Sequence, residues 1–529
     1  MCRWLLGLGL VTACTAPAPD RVSATTEPGD PPEVPIPEVV QTSDDPPRTD
    51  CAALGLPVEP WWTLGHGRSI DPGARAGDVV LSTTRGTFDL AADWSGCEVL
   101  LVLPDAPLQE DTNLWSEAAL AELLEALPEH VLLVIGSRFG DPSWVDDAAG
   151  WAASLDDERL WVADQPLAEA PGWLGEAMTQ FGWGFGVDRQ QQIRYVGSFA
   201  DVARYNASVG WWDGTLSMAA LEVVHWEFEA ERQARLDAED VDEIDLFTRQ
   251  VVEDPGWAGE RSTTTVQLPD DLSAYDTLEA DLHLGCVGEG ELGLCPPWDY
   301  LVHLYLCAPG EEVCSIEVGR WISTYHREGR WVHDLTPLLP LLEGGSTTFQ
   351  FYSQQPYEVD LSLRLSTRGT PRPIAALPLH GGAWLDGSLG ERPPVEVQIP
   401  AEAGRIELAS VISGHGQAGF LNCAEFCVLD NVFRFDDHAV VIDYPIAGTE
   451  QGCELDVGNG TVPNQYGTWW FGRQGWCPGK EVPVERHDLT DQLDPGTVVS
   501  VDYEVLYNDQ PYTNASARMD VSSWLVVYE

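Results

Sequence analysis

Three short fragments carry the residue types that could do chemistry. Asn422–Cys427 reads Asn-Cys-Ala-Glu-Phe-Cys and places one carboxylate, Glu425, between two cysteines. If Cys423 and Cys427 are joined, the ring is so small that the acid has few directions left to point. Taken alone, that fragment also fits a stapled surface turn with a solvated acid. The second fragment, Cys295-Pro296-Pro297-Trp298-Asp299, sets another carboxylate beside an aromatic ring. The third, Gly472-Arg473-Gln474-Gly475-Trp476-Cys477-Pro478-Gly479, adds an arginine and a tryptophan. Two acids, a cation and two tryptophans near cysteines suit hydrolysis of a poor electrophile. A carboxylate can draw a proton from attacking water, and a cation or other donors can stabilise the developing oxyanion. Trp298 and Trp476 fit a cleft wall and a sandwich core equally well.

The elements that must position these residues fill a chain of 529 residues, long enough for about three domains. Its formal charge is −57, from 85 acids against 28 bases, and Lys480 is the sole lysine. No cationic face is available for phosphates, so nucleic acid is excluded as a partner. Solubility in an extracellular or salty medium accounts for the acidity. Residues 1–14 combine Arg3, an apolar run Trp4–Val11 and the ending Val11-Thr12-Ala13-Cys14. That is an export signal too short to span a bilayer. Its ending resembles a bacterial lipoprotein cleavage box, which implies lipidation of Cys14 and a surface or outer-membrane lipoprotein; simple cleavage and secretion is the alternative. Residues 15–50, rich in Pro, Thr, Asp and Glu, read as a disordered tether.

Of 12 cysteines, Cys2 and Cys14 lie in the leader and ten remain, an even number that reads as a disulfide framework in an exported chain. Local spacing suggests Cys286–Cys295, Cys307–Cys314, Cys423–Cys427 and Cys453–Cys477, leaving Cys51 for Cys97. There is no Cys-x-x-Cys, His-x-His or His-x-x-x-His, so no metal or other cofactor is expected.

Residues 51–236 alternate strand and helix patterns. Strands are expected over Asp78–Ser82, Glu98–Val102, His130–Ile135 and Leu160–Ala163, helices over Trp115–Ala126 and Asp146–Ser154, and a late hairpin at Phe185–Asp188 and Ile193–Gly197. The order loosely resembles a thioredoxin-like domain without its redox motif, which implies a redox-silent spacer or partner-binding unit. Glu227–Ile244, rich in charge, reads as an exposed connecting helix. Beyond it, short alternating segments divided by Gly, Pro, Asn and Asp predict two tandem β-sandwiches over 244–368 and 369–529, so that the chain is mainly β.

Five ordered motifs in this region resemble the peptide:N-glycosidase F family. They are Cys295–Asp299, Glu317–Tyr325 (Glu-Val-Gly-Arg-Trp-Ile-Ser-Thr-Tyr), Ile412-Ser413-Gly414-His415-Gly416, Cys423–Cys427 and Gly475–Gly479. The resemblance implies two eight-stranded antiparallel jelly rolls, and an amidohydrolase that cleaves the bond between an N-linked glycan and asparagine. Its substrates would be N-glycosylated proteins or glycopeptides. It also implies that Asp299 is the principal catalytic carboxylate, Glu425 a second essential acid near the first sugars, and Arg473 the arginine of the same cleft. The pairs 286/295, 423/427 and 453/477 fall where that family has disulfides. The chain departs from the family in three places, one of them an aromatic replaced near Gln355-Pro356. Gln354, in Tyr352-Ser353-Gln354, replaces a third acid that pairs with the arginine, and His415 replaces a tryptophan, so substrate contacts at Gln354 and His415 are rewritten. A glycan-binding surface lipoprotein with little or no activity is the competing reading. A copper monooxygenase of similar fold would need clustered His and Met ligands, and the chain has only 4 methionines.

Overall fold

The computed structural model describes residues 49–56, 69–105, 115–181, 184–197, 203–206, 211–252, 260–288, 290–293, 295–384, 392–416, 423–512 and 517–529. The leader, Cys14 and almost all of the proline-rich segment lie outside the described residues. Residues 47–529 form one compact unit.

The N-terminal part is built on a seven-stranded mixed sheet in the order Gly86–Asp89, Val80–Thr83, Leu160–Ala163, Val131–Gly136, Val99–Pro104, Phe185–Val187, Ile193–Tyr195. Val99–Pro104 and Val131–Gly136 are buried at every position and pair in parallel, as continuous apolar runs covered on both faces do. Alternate residues feed two cores: Val99, Leu101 and Leu103 face one, Leu100 and Val102 the other. The crossover helix Glu117–Ala126 starts at Ser116, whose hydroxyl accepts the Ala119 N–H at 3.1 Å. Helix Pro142–Leu155 is capped by Asp141, with proline just inside its start. Cys51–Cys97 ties the start of the described chain to this sheet.

The helix that follows departs from the sequence expectation. It runs Ala219–Ala238, and Glu222, Val223, His225, Trp226, Ala230, Arg232 and Leu236 are all buried. Residues from Val241 onward form a strand, Val241–Val252, paired with Tyr357–Ser366. Charge-rich composition suggested solvent, but several of these charges have a partner on another element. Arg189 donates to Glu227 at 2.8 Å, Arg194 pairs with Glu229, and Arg327 donates to Glu222 at 2.6 Å. Because Arg327 belongs to the first sandwich and also donates to the Tyr195 carbonyl at 3.3 Å, the α/β part is joined to that sandwich by buried charge.

The first sandwich faces the sheet Val241–Val252, Tyr357–Ser366, Thr277–Gly285, Gly329–Asp334 against the sheet Glu260–Leu268, Gly345–Ser353, Leu301–Leu306, Ile316–Ile322, Lys480–Glu481. The second faces Pro373–Trp384, Arg518–Tyr528, Arg405–His415, Glu485–Asp488 against Val395–Gln398, Val498–Tyr507, Asp430–Phe435, His438–Ile442. All these pairings are antiparallel. The core of the first sandwich runs on into the second through Ala409, Val411, Trp524 and Val526. At that seam buried Arg320 donates to Glu317 at 2.8 and 2.6 Å, and to the Ser413 hydroxyl and Asp520 carbonyl, both at 2.8 Å. The two sandwiches are thus held side by side, and the site lies on loops at one end of their junction. Among the described residues no helix is long and apolar enough to cross a membrane.

Candidate functional site

The Cys295–Asp299 loop is fixed at both ends. Cys295 is bonded to Cys286, the Ser323 hydroxyl donates to the Trp298 carbonyl at 3.0 Å, and the Tyr300 N–H returns to that hydroxyl at 2.9 Å. Asp299 therefore projects in a set direction. Glu425 lies in the short helix Cys423–Phe426, whose Glu425 carbonyl accepts the Gln474 N–H at 2.8 Å. Cys427 is disulfide-bonded, while the side chain of Cys423 lies outside the described residues. A side-chain carbon added at Gly414 would stand 1.8 Å from the Ala424 carbonyl, so glycine is what allows the strand Arg405–His415 to approach this turn. The third segment is closed by Cys453–Cys477.

Arg473 is the centre of the site and is completely buried. Its Nε donates to Glu425 Oε1 at 3.1 Å, and its Nη2 lies 3.9 Å from Asp299 Oδ2. Nη1 donates to the Phe471 carbonyl at 2.6 Å, and Nη2 to the carbonyl and hydroxyl of Thr468, both at 3.1 Å. The guanidinium also lies over the rings of Phe426 and Trp476, at 4.4 and 5.3 Å. Burial pushes the Glu425 carboxyl up to about 7, helped by the charge of Asp299 and opposed by Arg473. Burial also raises Asp299, opposed by Arg473 and by a hydrogen bond from the Tyr325 hydroxyl at 2.6 Å. The site is thus two acids of unequal environment around one cation, a pattern that separates proton acceptor from proton carrier.

The other residues named from the sequence fall around this centre. Trp476 is buried, donates to the Gly414 carbonyl at 2.8 Å and stacks on His415 at 5.1 Å, forming a wall that is also core. Burial holds the His415 imidazole well below its ordinary value, so it is neutral, and it contacts the Ser413 hydroxyl at 2.8 Å. Trp298 is 58% exposed and meets Tyr325 edge-on, as a solvent-facing rim. Gln354 Oε1 accepts the Leu301 N–H at 3.4 Å, beside Asp299 in the chain. Among the described residues, the guanidinium is already matched by two acids and three further acceptors.

Sequence reasoning assigned no role to Tyr325, Thr468 or Phe426. Tyr325 closes the motif Glu317–Tyr325, and its position in that motif was the available signal. It is held from behind by Gly467, where a side chain would meet its ring at 2.8 Å, and by a cluster with Met218, Trp469 and Trp470. Met218 belongs to the N-terminal part, so that part supports the site directly. Cys286, Cys295 and Glu328 come together with metal-like proximity, but both sulfurs are committed to a disulfide and Glu328 accepts the Cys286 N–H at 2.9 Å.

Residues 389–526 match the family described as "Peptide-N-glycosidase F, C terminal". The peptide-N(4)-(N-acetyl-beta-D-glucosaminyl)asparagine amidase F of Elizabethkingia miricola is 26% identical over 300 residues, 50% of this chain and 77% of that protein. Among solved structures, PNGase F, titled a glycosylasparaginase from Flavobacterium meningosepticum, aligns with 55% of this chain and 96% of its own at 19% identity and a TM-score of 0.44. PNGF-II aligns with 56% of this chain and 66% of its own at 12% identity and a TM-score of 0.41. Residues 389–526 are thus similar to the C-terminal part of the peptide-N-glycosidase F family, and half of the chain is similar to the Elizabethkingia amidase.

Proposed function

We propose that the chain is an amidase that hydrolyses the bond between an N-linked glycan and asparagine in glycoproteins or glycopeptides. The observation that carries this reading is the arrangement of Asp299 and Glu425 about buried Arg473. Asp299, whose burial raises its proton affinity against the opposing pull of Arg473 and Tyr325, takes a proton from the water that attacks the side-chain amide carbon. The tetrahedral intermediate collapses with release of a protonated glycosylamine and leaves aspartate in the peptide. Glu425 still holds a proton for part of the time near neutrality, and so can donate to a sugar hydroxyl or to the amide oxygen. Arg473 has spent most of its donors on the protein, so it acts by fixing both acids and by its charge rather than as an oxyanion ligand. Trp298 offers an exposed ring on which a sugar can rest.

The test is a denatured N-glycoprotein incubated with the enzyme and with Asp299→Asn, the peptides then being read by mass spectrometry for asparagine converted to aspartate. Conversion lost in the variant supports the amidase. If neither protein converts asparagine and both still bind glycopeptide, the chain is a glycan-binding protein.

Glu425 also marks the stability curve. Its carboxyl holds a proton up to about pH 7 in the folded state, against an ordinary value of 4.5. Between those values the folded state binds a proton that the unfolded chain has released, so this group's contribution falls as pH rises through the window. Glu425→Gln should melt with a flatter pH profile between the two values. Parallel curves for variant and wild type would show that the carboxyl is not so displaced.

Export as a lipoprotein is proposed on the leader's apolar run, its Cys14 ending and the disulfides of the folded part. Metabolic labelling with a radioactive fatty acid in a bacterial host should mark the wild type and not Cys14→Ser. An unlabelled, released wild type would establish plain secretion instead.

A further inference from the structure

A cavity of about 440 Å³ lies between the N-terminal part and the first sandwich, and Asp299, Glu425 and Arg473 are not among its lining residues. The buried helix Ala219–Ala238 forms one wall, with Glu222, His225, Glu229 and Arg232 facing the space, and Arg327 and Arg194 close it. Three atoms on that wall have no protein partner: Glu222 Oε2, His225 Nδ1 and Arg232 Nε. Their residues are 0, 6 and 9% exposed. Buried polar atoms without partners are costly, and three around one cavity are hard to account for as packing error.

The partnered atoms of the same side chains hold the free ones in place. Glu222 Oε1 accepts from Arg327 at 2.6 Å, and Arg232 Nη2 donates to Glu229 at 3.2 Å. Each group therefore presents its second atom in a fixed direction, as a binding site requires. Charge selects the ligand. The described lining carries four arginines and four glutamates, so an anion would meet carboxylates and a cation would meet guanidiniums. Hydroxyl groups do neither: one can donate to Glu222 Oε2 and another, farther along the helix, can accept from Arg232 Nε. The His225 ring is pushed down to about 3 by burial, so it stays neutral, and its Nδ1 can be matched by a hydroxyl in either tautomer. The volume lies in the range of about 300–1,000 Å³ usual for small-molecule sites.

We propose that this cavity is a binding site for a small neutral polyhydroxyl compound of mono- to disaccharide size, separate from the Asp299 site. The proposal does not rest on the amidase reading.

The test is titration calorimetry of the full chain with glucose and maltose, beside inorganic phosphate and ethylammonium as charged probes. One of the sugars should give saturable heat and the charged probes none. Ala230→Phe fills the space and Glu222→Gln turns the free acceptor into a donor. Each should weaken the sugar by at least about tenfold, the effect of one lost buried hydrogen bond, while Asp299→Asn leaves it unchanged. Hydrogen exchange should slow in Ala219–Ala238 when the sugar is present. Melting curves establish that the variants fold, and should Ala230→Phe not fold, Glu222→Gln alone decides. No saturable heat with either sugar overturns the proposal. So does tighter binding of a charged probe, or an affinity that Asp299→Asn abolishes and folded Glu222→Gln leaves intact.

Discussion

Asp299→Asn should lower kcat for deglycosylation by about 10²–10⁴, the usual contribution of a positioned base, while KM changes little. Asparagine has the same shape, and its carbonyl oxygen can still accept the hydrogen bond that Tyr325 gives Asp299 at 2.6 Å. The loop is held independently by Cys286–Cys295 and Ser323, so the substitution removes proton affinity without moving the site. A variant that keeps more than about a tenth of wild-type kcat would show that water is activated elsewhere, with Glu425 the next group to test.

Arg473→Met should lose activity and also destabilise the fold, by about 3–5 kcal/mol at neutral pH, because one partner of a buried charge cluster is removed and the others stay. The guanidinium is fully buried, and with it go the bond to Glu425, the attraction for Asp299 and the donors to Phe471 and Thr468. Methionine restores much of the apolar stem that packs under Phe426 and Trp476. The pH dependence separates charge from packing. Without the cation both acids hold protons to higher pH in the folded state than in the unfolded one, so the deficit should grow as pH rises and shrink on acidification. Urea denaturation on either side of neutrality measures this. A deficit independent of pH would assign the loss to packing, and one below about 1 kcal/mol would show that Arg473 does not neutralise the acids.

Much of this arrangement was legible in the order of residues. The alternating segments of the C-terminal half marked strands, and so did Glu98–Val102 and His130–Ile135, but alternation did not show that strands such as Thr277–Gly285 and Leu301–Leu306 are covered at nearly every position. Cysteine spacing and the three acidic or basic fragments singled out Asp299, Glu425 and Arg473, because rigid turns beside unusual residue types are a local property. The helix Ala219–Ala238 was misjudged for the opposite reason. Its charges look solvated in sequence, and only the distant Arg189, Arg194 and Arg327 make their burial affordable.

The sequence by itself determined which residues could carry the chemistry and which segments would be strands or tight turns. The tertiary structure alone decided their state: that Arg473 is buried and spent on two acids, that Glu425 is raised, and that the Tyr325 hydroxyl donates to Asp299. Residue type and spacing are read within a few positions of the chain. Desolvation and charge pairing depend on what covers a group from remote segments, and here those segments come from all three parts of the fold.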